Sequence, residues 1–459
     1  MSSPVAPRDG ARVFGHVLLN TLVANVTTSF LWFALTFWVY LETRSVLATG
    51  VVGGAYMLML ALFAMLFGTI VDRHLKRDVL VGSSVVTMAS FAVAGLMYAV
   101  VGPAAIVDMS GPWFWLFAGI VLFGSVVESM RNITLSTLVT LLVPADRRDR
   151  ANGLVGTVQG LAFIVTSVFS GLAIGQLGMG WTLVVANVLT LLTVLHLFFV
   201  RIPEERPEAT GEHAPRVDVR GALTAIHQVP GLFALIVFTT FNNLISGVFM
   251  ALMDPYGLTL FSVEWWGIVF GIGSTGFIIG GLVIARFGLG ANPIRTMLLV
   301  VAVLGVINAT FTIREWPWLC ILGIWVFLLL MPAVEAAEQT VIQRVVPFTS
   351  QGRVFGFAQA FESAAAPVTS FLIAPIAEFW VIPYLETDEG ADRWAWLVGH
   401  GDARGIALVF FFAGAIMVVA SLAVFGTRSY RLLSDRYRAG EGEPAHIGDP
   451  GFGSTETLR

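Results

Sequence analysis

The sequence predicts an all-α membrane protein with twelve transmembrane helices arranged as two six-helix pseudo-repeats. Of its 459 residues, 56% are hydrophobic and 12% are charged, whereas soluble globular domains carry roughly 25% charged residues. Uncharged runs of the ~20 residues that cross a bilayer core recur along the chain, for example at Ala48–Val71, Trp181–Val200 and Gly405–Gly426. We therefore expect lipid to surround most of the chain.

Apolar runs separated by polar breaks give the predicted spans. They are 12–41, 48–71, 79–102, 113–143, 151–175, 181–200, 230–260, 265–285, 296–313, 316–345, 353–383 and 405–426. Cytoplasmic segments of membrane proteins carry an excess of Lys and Arg. If both termini are cytoplasmic, 21 of the 26 Lys and Arg residues lie in cytoplasmic segments and four lie outside. This bias predicts cytoplasmic termini, and the Arg-rich, Lys-poor composition favours the plasma (inner) membrane of a bacterium.

A charged segment with several prolines, 201–229, separates six spans from six. We expect a six-helix bundle over 1–200, a cytoplasmic linker over 201–229, a second six-helix bundle over 230–426 and a flexible cytoplasmic tail over 427–459. Short matches relate the bundles. Val143-Pro144, Arg150 and Gly153 recur 203 residues later as Val346-Pro347, Arg353 and Gly356, while Gly68 and Arg73 recur 213 residues later as Gly281 and Arg286. Parallel repeats of this kind place a substrate site between the bundles near the membrane midplane.

Composition and residue counts argue against several classes of function. The net charge is −4 and there is no basic tract, which disfavours nucleic-acid binding. Cys320 is the only cysteine, and the seven histidines are scattered without metal-ligand spacing. We therefore expect no disulfide, no metal and no cofactor, and a membrane enzyme or a receptor is less favoured than a transporter. The expected partners are a small-molecule substrate, protons and the lipid bilayer, and the protein is expected to be a monomer.

The segment between spans 2 and 3 carries the most specific motif. It reads Gly68-Thr-Ile-Val-Asp72-Arg73-His-Leu-Lys76-Arg77, and it resembles the signature loop of the major facilitator superfamily, G-x-x-x-D-R-x-G-R-R, with Leu75 in place of the second glycine. The six-plus-six repeat and the central linker extend the resemblance over nearly the whole chain, which implies the major facilitator fold. Within the superfamily, the chain is similar to bacterial drug and macrolide efflux proteins, although the glycine-proline motif of many antiporters is absent from span 5.

A latch between the bundles is expected at this loop. Asp72 lies at a helix end, where it can meet the positively polarised N-terminus of span 11 near Arg353, and such charge–dipole contacts contribute roughly 0.3–1 kcal/mol each. The residues assigned to the latch are Gly68, Asp72, Arg73, Lys76, Arg77, Arg150 and Arg353. The alternative is a solvated loop whose charges only set the topology.

Ionisable side chains inside spans are candidates for function, because their burial costs roughly 2.5–3.5 kcal/mol on insertion scales. Glu128 and Arg131 lie three residues apart on one face of span 4 and are expected to pair. Glu335 and Glu338 have the same spacing on span 10, and Glu362 lies on span 11. All five are candidates for proton coupling. The alternative is a structural ion pair on span 4 and interhelical hydrogen bonds from the other three carboxyl groups.

Amide side chains supply the candidate substrate contacts. In the fold that the resemblance implies, spans 1, 4, 7 and 10 line the central cavity. The candidates there are Asn25, Asn132, Asn242, Asn243 and Gln339. Apolar walls with a few polar groups suit an amphiphilic organic molecule better than a sugar. We therefore expect a proton-coupled exporter of small amphiphiles that works by alternating access, and the alternative is a proton-coupled importer of a nutrient or metabolite. The segment 378–404 is expected as a long external loop that lies on the membrane or covers an exit.

Overall fold

The computed structural model of the chain describes residues 7–43, 46–204, 217–399, 401 and 403–439. Eight α-helices precede the predicted linker: α1 Pro7–Thr43, α2 Val46–Arg73, α3 Lys76–Val101, α4 Pro103–Val107, α5 Pro112–Glu128, α6 Met130–Leu142, α7 Arg148–Gln176 and α8 Gly178–Phe199. The others are α9 Val219–Gln228, α10 Leu232–Leu260, α11 Val263–Phe287, α12 Pro293–Thr310, α13 Pro317–Val345, α14 Phe348–Ile376, α15 Ile382–Glu386, α16 Asp388–Val398, α17 Arg404–Phe425 and α18 Arg428–Ala439.

Eleven of the twelve predicted spans each coincide with one long helix, and the fourth coincides with α5 followed by α6, so the predicted all-α membrane fold is confirmed. Within the described residues, 11 helical stretches are long and apolar enough to cross a membrane. The predicted fifth span forms α7, which has 29 residues. At ~1.5 Å per residue, this helix is also long enough to cross about 30 Å of hydrocarbon.

The fourth span contains one irregular turn, where α5 and α6 meet at Ser129. The Ser129 N–H donates to the carbonyl O of Val126 at 3.1 Å, and the Asn132 N–H donates to the carbonyl O of Ser129 at 3.0 Å. Bonds between residues three apart tighten the turn as in a 3₁₀ helix, in which such residues nearly eclipse one another. The irregular turn therefore aligns Glu128 with Arg131 inside the span.

The two bundles meet along two helix pairs, because α2 packs on α14 and α7 packs on α11. The predicted repeat relates these pairs, since span 2 meets span 11 and span 5 meets span 8. Gly68 lies against Gly356 in the first pair, and Gly281 lies against Gly153 in the second. A Cβ added to any of these four glycines would clash with the facing helix. Small residues allow helix backbones to approach this closely. The glycines that recur in the sequence thus perform the same packing role twice.

Two segments predicted as linker and tail contain helices. In the linker, α9 begins after Asp218, whose side chain accepts the Gly221 N–H at 2.8 Å and so caps the helix. The first part of the predicted flexible tail 427–459 forms the helix α18, which buries Leu433 near Gly231 at the start of α10. The rest of these two predictions, 205–216 and 440–459, lies outside the described residues.

The predicted external loop 378–404 is mainly helical. A π-helical segment, Ala377–Val381, leads into α15. The Thr387 side chain then accepts the Gly390 N–H at 3.1 Å and caps α16. Arg314, in the turn between α12 and α13, donates to the carbonyl O of Leu397 at 2.8 Å. This segment is therefore folded against the rest of the second bundle, because its backbone groups bond within helices and to that turn.

Candidate functional site

The linker is attached to both bundles at one end of the molecule, which we call the linker end. Glu204 lies 2.9 Å from the Nζ of buried Lys76 at the start of α3, and its second oxygen accepts the Lys76 N–H at 2.6 Å. Asp218 contacts the guanidinium of Arg353 on α14 at 2.5 Å. The start of the linker thus binds the first bundle at Glu204, and its other described end binds the second bundle through Asp218.

Asp72 joins the two bundles directly at the linker end. From the last turn of α2, its carboxylate accepts the N–H of Gly352 at 2.7 Å, and the N–H and Nε of Arg353 at 3.0 Å each. The Asp72 side chain is only 4% exposed. Charge-assisted hydrogen bonds of this kind are roughly twice as strong as neutral ones. The predicted contact between Asp72 and the start of span 11 is therefore present.

Asp218 extends this contact into the linker. Its backbone N–H donates to the Thr69 hydroxyl on α2 at 3.2 Å, while its carboxylate binds Arg353. Partial burial raises the pKa of Asp218, but the hydrogen bonds from the Gly221 N–H and from Arg353 outweigh it and hold that pKa below its usual value. Arg353 therefore binds two carboxylates. Sequence reasoning missed Asp218, although an Asp just before a helix is a capping signal.

Three other predicted latch residues have partners of their own. Lys76 binds Glu204 and lies 4.9 Å from the ring centre of Phe348, at the start of α14. Arg77 donates to the carbonyl O of Phe198 at the end of α8, at 3.2 Å. Arg73 adds positive charge close to the linker carboxylate that Arg353 binds. These residues fix the loop to its surroundings, and only Lys76 among the three contacts the second bundle.

The structure does not bring Arg150 into this network. Its side chain is exposed and, within the described residues, forms no hydrogen bond or ion pair. The repeat equates Arg150 with Arg353, but the position equivalent to Asp72 in the second bundle is Ala285, so no carboxylate faces Arg150 there. Its neighbour Arg148 makes the contact between bundles, donating to the carbonyl O of Gln343 at 3.0 Å.

A polar cluster continues the contact between the bundles toward the membrane interior. The Asn152 amide donates to the Thr340 hydroxyl at 2.8 Å and to the Gln343 side chain at 2.9 Å, and Gln343 donates to the carbonyl O of Ser136 at 2.9 Å. Close packing also extends to Gly160, where an added Cβ would touch Phe277 of α11. Gly160 lies twelve residues beyond the start of α7, about 18 Å along the helix. The linker end is therefore closed in this conformation.

Glu128 and Arg131 form the predicted ion pair inside the first bundle. Arg131, which is 0% exposed, donates from Nε to Glu128 at 2.6 Å, from Nη1 to Asn20 at 2.7 Å and from Nη2 to Ser84 at 2.6 Å. The Ser84 hydroxyl also lies 3.1 Å from Glu128. The second Glu128 oxygen, Oε2, is buried and has no hydrogen-bond partner among the described residues. The pair is therefore held rigidly, with one acceptor position left open.

Glu338 and Glu362 meet in the second bundle, where Thr239 of α10 contacts both. The Thr239 hydroxyl lies 2.7 Å from a carboxyl oxygen of Glu362 and 3.1 Å from a carboxyl oxygen of Glu338. A hydroxyl carries a single hydrogen, so Thr239 can donate to only one of the two carboxyl groups at a time. Within the described residues, no Lys or Arg contacts the pair, and no group of acids, His or Cys could hold a metal ion.

Facing positions of α6 and α13 follow the 203-residue repeat. Ser136 lies 3.4 Å from the side-chain oxygen of Gln339, its equivalent in the second bundle. One turn deeper on the same faces are Asn132 and Glu335, which are also equivalent. Asn132 is exposed although it lies inside a span, and Glu335 is partly exposed. These two candidates therefore line accessible space between the bundles.

The remaining substrate candidates lie on α1 and α10. Asn243 donates to the carbonyl O of Thr239, one turn earlier on α10, at 3.1 Å. Asn242 is buried, and its side-chain oxygen has no partner among the described residues. Asn25 is half-buried, and the described part of the chain gives its side chain no hydrogen bond. Asn243 thus lies one turn from Thr239, the residue that contacts both glutamates, whereas no described contact links Asn25 to them.

Known proteins resemble this chain over most of its length. The family model of the Major Facilitator Superfamily matches residues 17–370. Macrolide efflux protein A of Streptococcus pyogenes is 22% identical over 379 residues, which cover 80% of this chain and 89% of that protein.

Two solved structures share the fold. A human organic anion transporter superposes with a TM-score of 0.65 at 15% identity, covering 92% of this chain and 99% of its own. A bacterial homologue of the iron transporter ferroportin in an outward-facing state superposes with a TM-score of 0.63 at 13% identity. The match covers 90% of this chain and 100% of that one. With the signature loop, the repeat and the closed linker end, these matches show that the chain belongs to the major facilitator superfamily and is a multi-pass membrane transporter, not an enzyme.

Proposed function

We propose that this transporter is a proton-coupled exporter of small amphiphilic organic molecules that works by alternating access. The observation that carries the proposal is the carboxyl pair Glu338–Glu362, held by Thr239 without a contacting cation. Such a pair holds a proton while its members touch and releases it when they separate or meet water, because two adjacent carboxylates repel one another. Glu338 lies on α13 and Glu362 on α14, so movement between these helices controls the site.

In the proposal, Glu335 links substrate binding to the protonation of the Glu338–Glu362 pair. It lies one turn from Glu338 on α13, and it faces the space that Asn132 lines. A ligand that binds at Asn132 and Glu335 thereby changes the charge beside the pair. Glu128 has a separate role, because Arg131 neutralises it within a rigid network. We assign Glu128 and Arg131 to a second, less mobile proton site.

The substrate class is proposed from the polar groups available to it. These groups are few: Asn132 and Gln339 on facing helices, and the Asn242 oxygen, which has no hydrogen-bond partner among the described residues. A site of this composition favours an amphiphile over a sugar, which would need many hydrogen-bond partners. The name of the macrolide efflux relative supports export of such molecules. Macrolides therefore belong in the first panel of candidate substrates.

The linker end is proposed to be cytoplasmic, with both termini on that side of a bacterial plasma membrane, because the excess of Arg lies there. In this orientation, the described conformation is closed to the cytoplasm. The contacts of Asp72 and Asp218 with Arg353 form the latch in our proposal and break when the protein opens inward. Cysteine labels at Arg77 and Arg148 should then be shielded from external reagent in intact cells, whereas a label at Asp388 should react. Protection at Asp388 would overturn the orientation.

The coupling proposal is tested in proteoliposomes with an imposed pH gradient and a panel of amphiphiles that includes macrolides. Gln keeps the size of Glu and its capacity for hydrogen bonds but cannot titrate. We expect Glu338→Gln and Glu362→Gln to abolish gradient-driven accumulation while exchange of bound for free substrate continues. Glu389→Gln, which changes an exposed glutamate on α16, is the matched control.

Wild-type accumulation by both pair variants would remove the pair from the mechanism. Accumulation only with the opposite gradient would favour the importer. The same assay on Glu335→Gln distinguishes the role of the substrate-facing carboxyl group from the role of the Glu338–Glu362 pair. Loss of accumulation in Glu335→Gln with an altered substrate KM is expected, because that residue contacts the substrate in the proposal.

A further inference from the structure

An open groove of about 620 Å³ lies on the outside of the second bundle at the linker end. It runs between the start of α12, the end of α17 and the helix α18. Its lining includes Arg295, Leu299, Leu422, Phe425, Tyr430 and Arg438. The groove is separate from the proposed transport site, which lies between the bundles.

The polar and apolar parts of the groove lie at different depths. Arg295 is in the first turn of α12, and Leu299 follows one turn later, about 6 Å further into the membrane. Leu422 lies near the end of α17, also on the membrane side of α18. Leu299 is 46% exposed and Leu422 is 54% exposed, so their surface is available to a ligand. The groove therefore offers cations at the membrane surface and apolar side chains below them.

Within the described residues, the arginines that line the groove have few carboxylate partners. Within the described residues, Arg295 has no carboxylate partner. Arg438 has only Asp435, at 3.8 Å, and both side chains of that pair are more than half exposed. An exposed pair at this distance contributes little. Arg428 and Arg431 of α18 are also exposed, so the surface around the groove carries excess positive charge.

We propose that this groove binds one anionic membrane phospholipid, with its phosphate between Arg295 and Arg438 and its acyl chains along Leu299 and Leu422. Guanidinium groups bind phosphate through paired hydrogen bonds, and the Tyr430 hydroxyl supplies another donor. Basic pockets beside transmembrane helices bind lipid headgroups in this way. The lipid would connect α18 to α12 and so hold the last helix against the bundle.

The test uses the purified full-length protein in detergent, titrated with phosphatidylglycerol or with phosphatidylcholine of the same acyl chains, and measures bound lipid by native mass spectrometry. We expect phosphatidylglycerol to bind the wild type more tightly. Each arginine near an anionic lipid contributes about 1 kcal/mol, so Arg295→Gln with Arg438→Gln should weaken binding by about 30-fold. Arg431→Gln, on the same helix but outside the groove lining, should change it by less than about threefold.

Several results would overturn the site. Equal affinity for the two lipids would remove the role of charge. An equal loss in Arg431→Gln and in the double variant would indicate general attraction to a basic surface. Displacement of the lipid by inorganic phosphate alone would indicate a simple anion site without a place for acyl chains. The comparison of lipids on the wild type needs no variant, so it is independent of any folding defect.

Discussion

The backbone N–H and the Nε of Arg353 donate to the same carboxylate oxygen of Asp72, each at 3.0 Å. The other Asp72 oxygen accepts the Gly352 N–H. All three donors belong to the second bundle, whereas Asp72 belongs to the first. One carboxylate therefore makes three contacts that must break together when the linker end opens.

Asp72→Asn should shift the protein toward a conformation that is open at the linker end. An amide has only one acceptor oxygen and carries no charge, so charge-assisted bonds worth roughly 1.5–3 kcal/mol are weakened. We expect the ratio of open to closed molecules to rise by about 10- to 100-fold. Spin labels at His74→Cys and Thr349→Cys, both exposed, report the opening as a longer distance. Asp146→Asn is the control, because Asp146 is 76% exposed in a surface pair, and it should leave the distance distribution unchanged.

Asp218→Asn should also loosen the closed end, and its effect should not depend on pH between about 5 and 8. The pKa of Asp218 lies below its usual value, so its carboxylate is ionised throughout that range. Its contribution to the closed state is therefore present above the ordinary pKa and is lost only as the pH falls through the lowered value. The same spin-label pair, measured across the pH series, checks this. A wild-type distance that lengthens between pH 8 and 5 while Asp218→Asn stays constant would contradict it.

Gly68→Ala should open the linker end by steric exclusion. An added Cβ would meet the carbonyl O of Gly352 and the Cα of Gly356, and overpacking of a close contact costs about 1–3 kcal/mol. Gly281→Ala should act in the same way on the second helix pair. Gly82→Ala is the matched control, because nothing lies within 4 Å of its added Cβ. Accessibility of a cysteine at Thr69 to a thiol reagent measures the opening, and equal accessibility in all three variants would contradict the packing role.

Removing one member of the Glu128–Arg131 pair should destabilise the first bundle more than removing both. Glu128→Gln leaves a fully buried guanidinium without its counterion, which costs roughly 3–5 kcal/mol. Arg131→Met with Glu128→Gln removes the stranded charge and should recover part of the thermal stability. The apparent Tm of the purified protein in detergent measures both steps. A double variant that is no more stable than Glu128→Gln would contradict this prediction.

The sequence predicted contacts between residues that lie close together along the chain. The three-residue spacing of Glu128 and Arg131 predicted their pairing, because residues three apart share a helix face. It could not predict Ser84 or Asn20, which reach Arg131 from other helices and depend on tertiary packing. In the same way, the spacing of Glu335 and Glu338 did not reveal that Glu338 pairs with Glu362.

The recurring glycines were evidence only for a repeat, and the structure adds that they make close helix contacts, whereas the repeat misled at Arg150. Equivalent glycines keep their role because backbone approach needs only the absence of a side chain. An equivalent arginine needs its acid as well, and Ala285 does not supply one. The helix α18 had a signal that was missed, since Tyr430, Leu433 and Tyr437 recur at helical spacing within a segment whose charge favours a tail.

The glycine contacts also determine how well the closed end insulates the membrane. Where Gly68 meets Gly356 and Gly153 meets Gly281, an added Cβ would clash with backbone atoms of the facing helix, so the helices leave no room for a file of water molecules. A continuous file would conduct protons and dissipate the gradient that drives the transport we propose. The glycine contacts carry no titratable group, so this part of the seal does not change when carboxyl groups in the interior gain or lose protons.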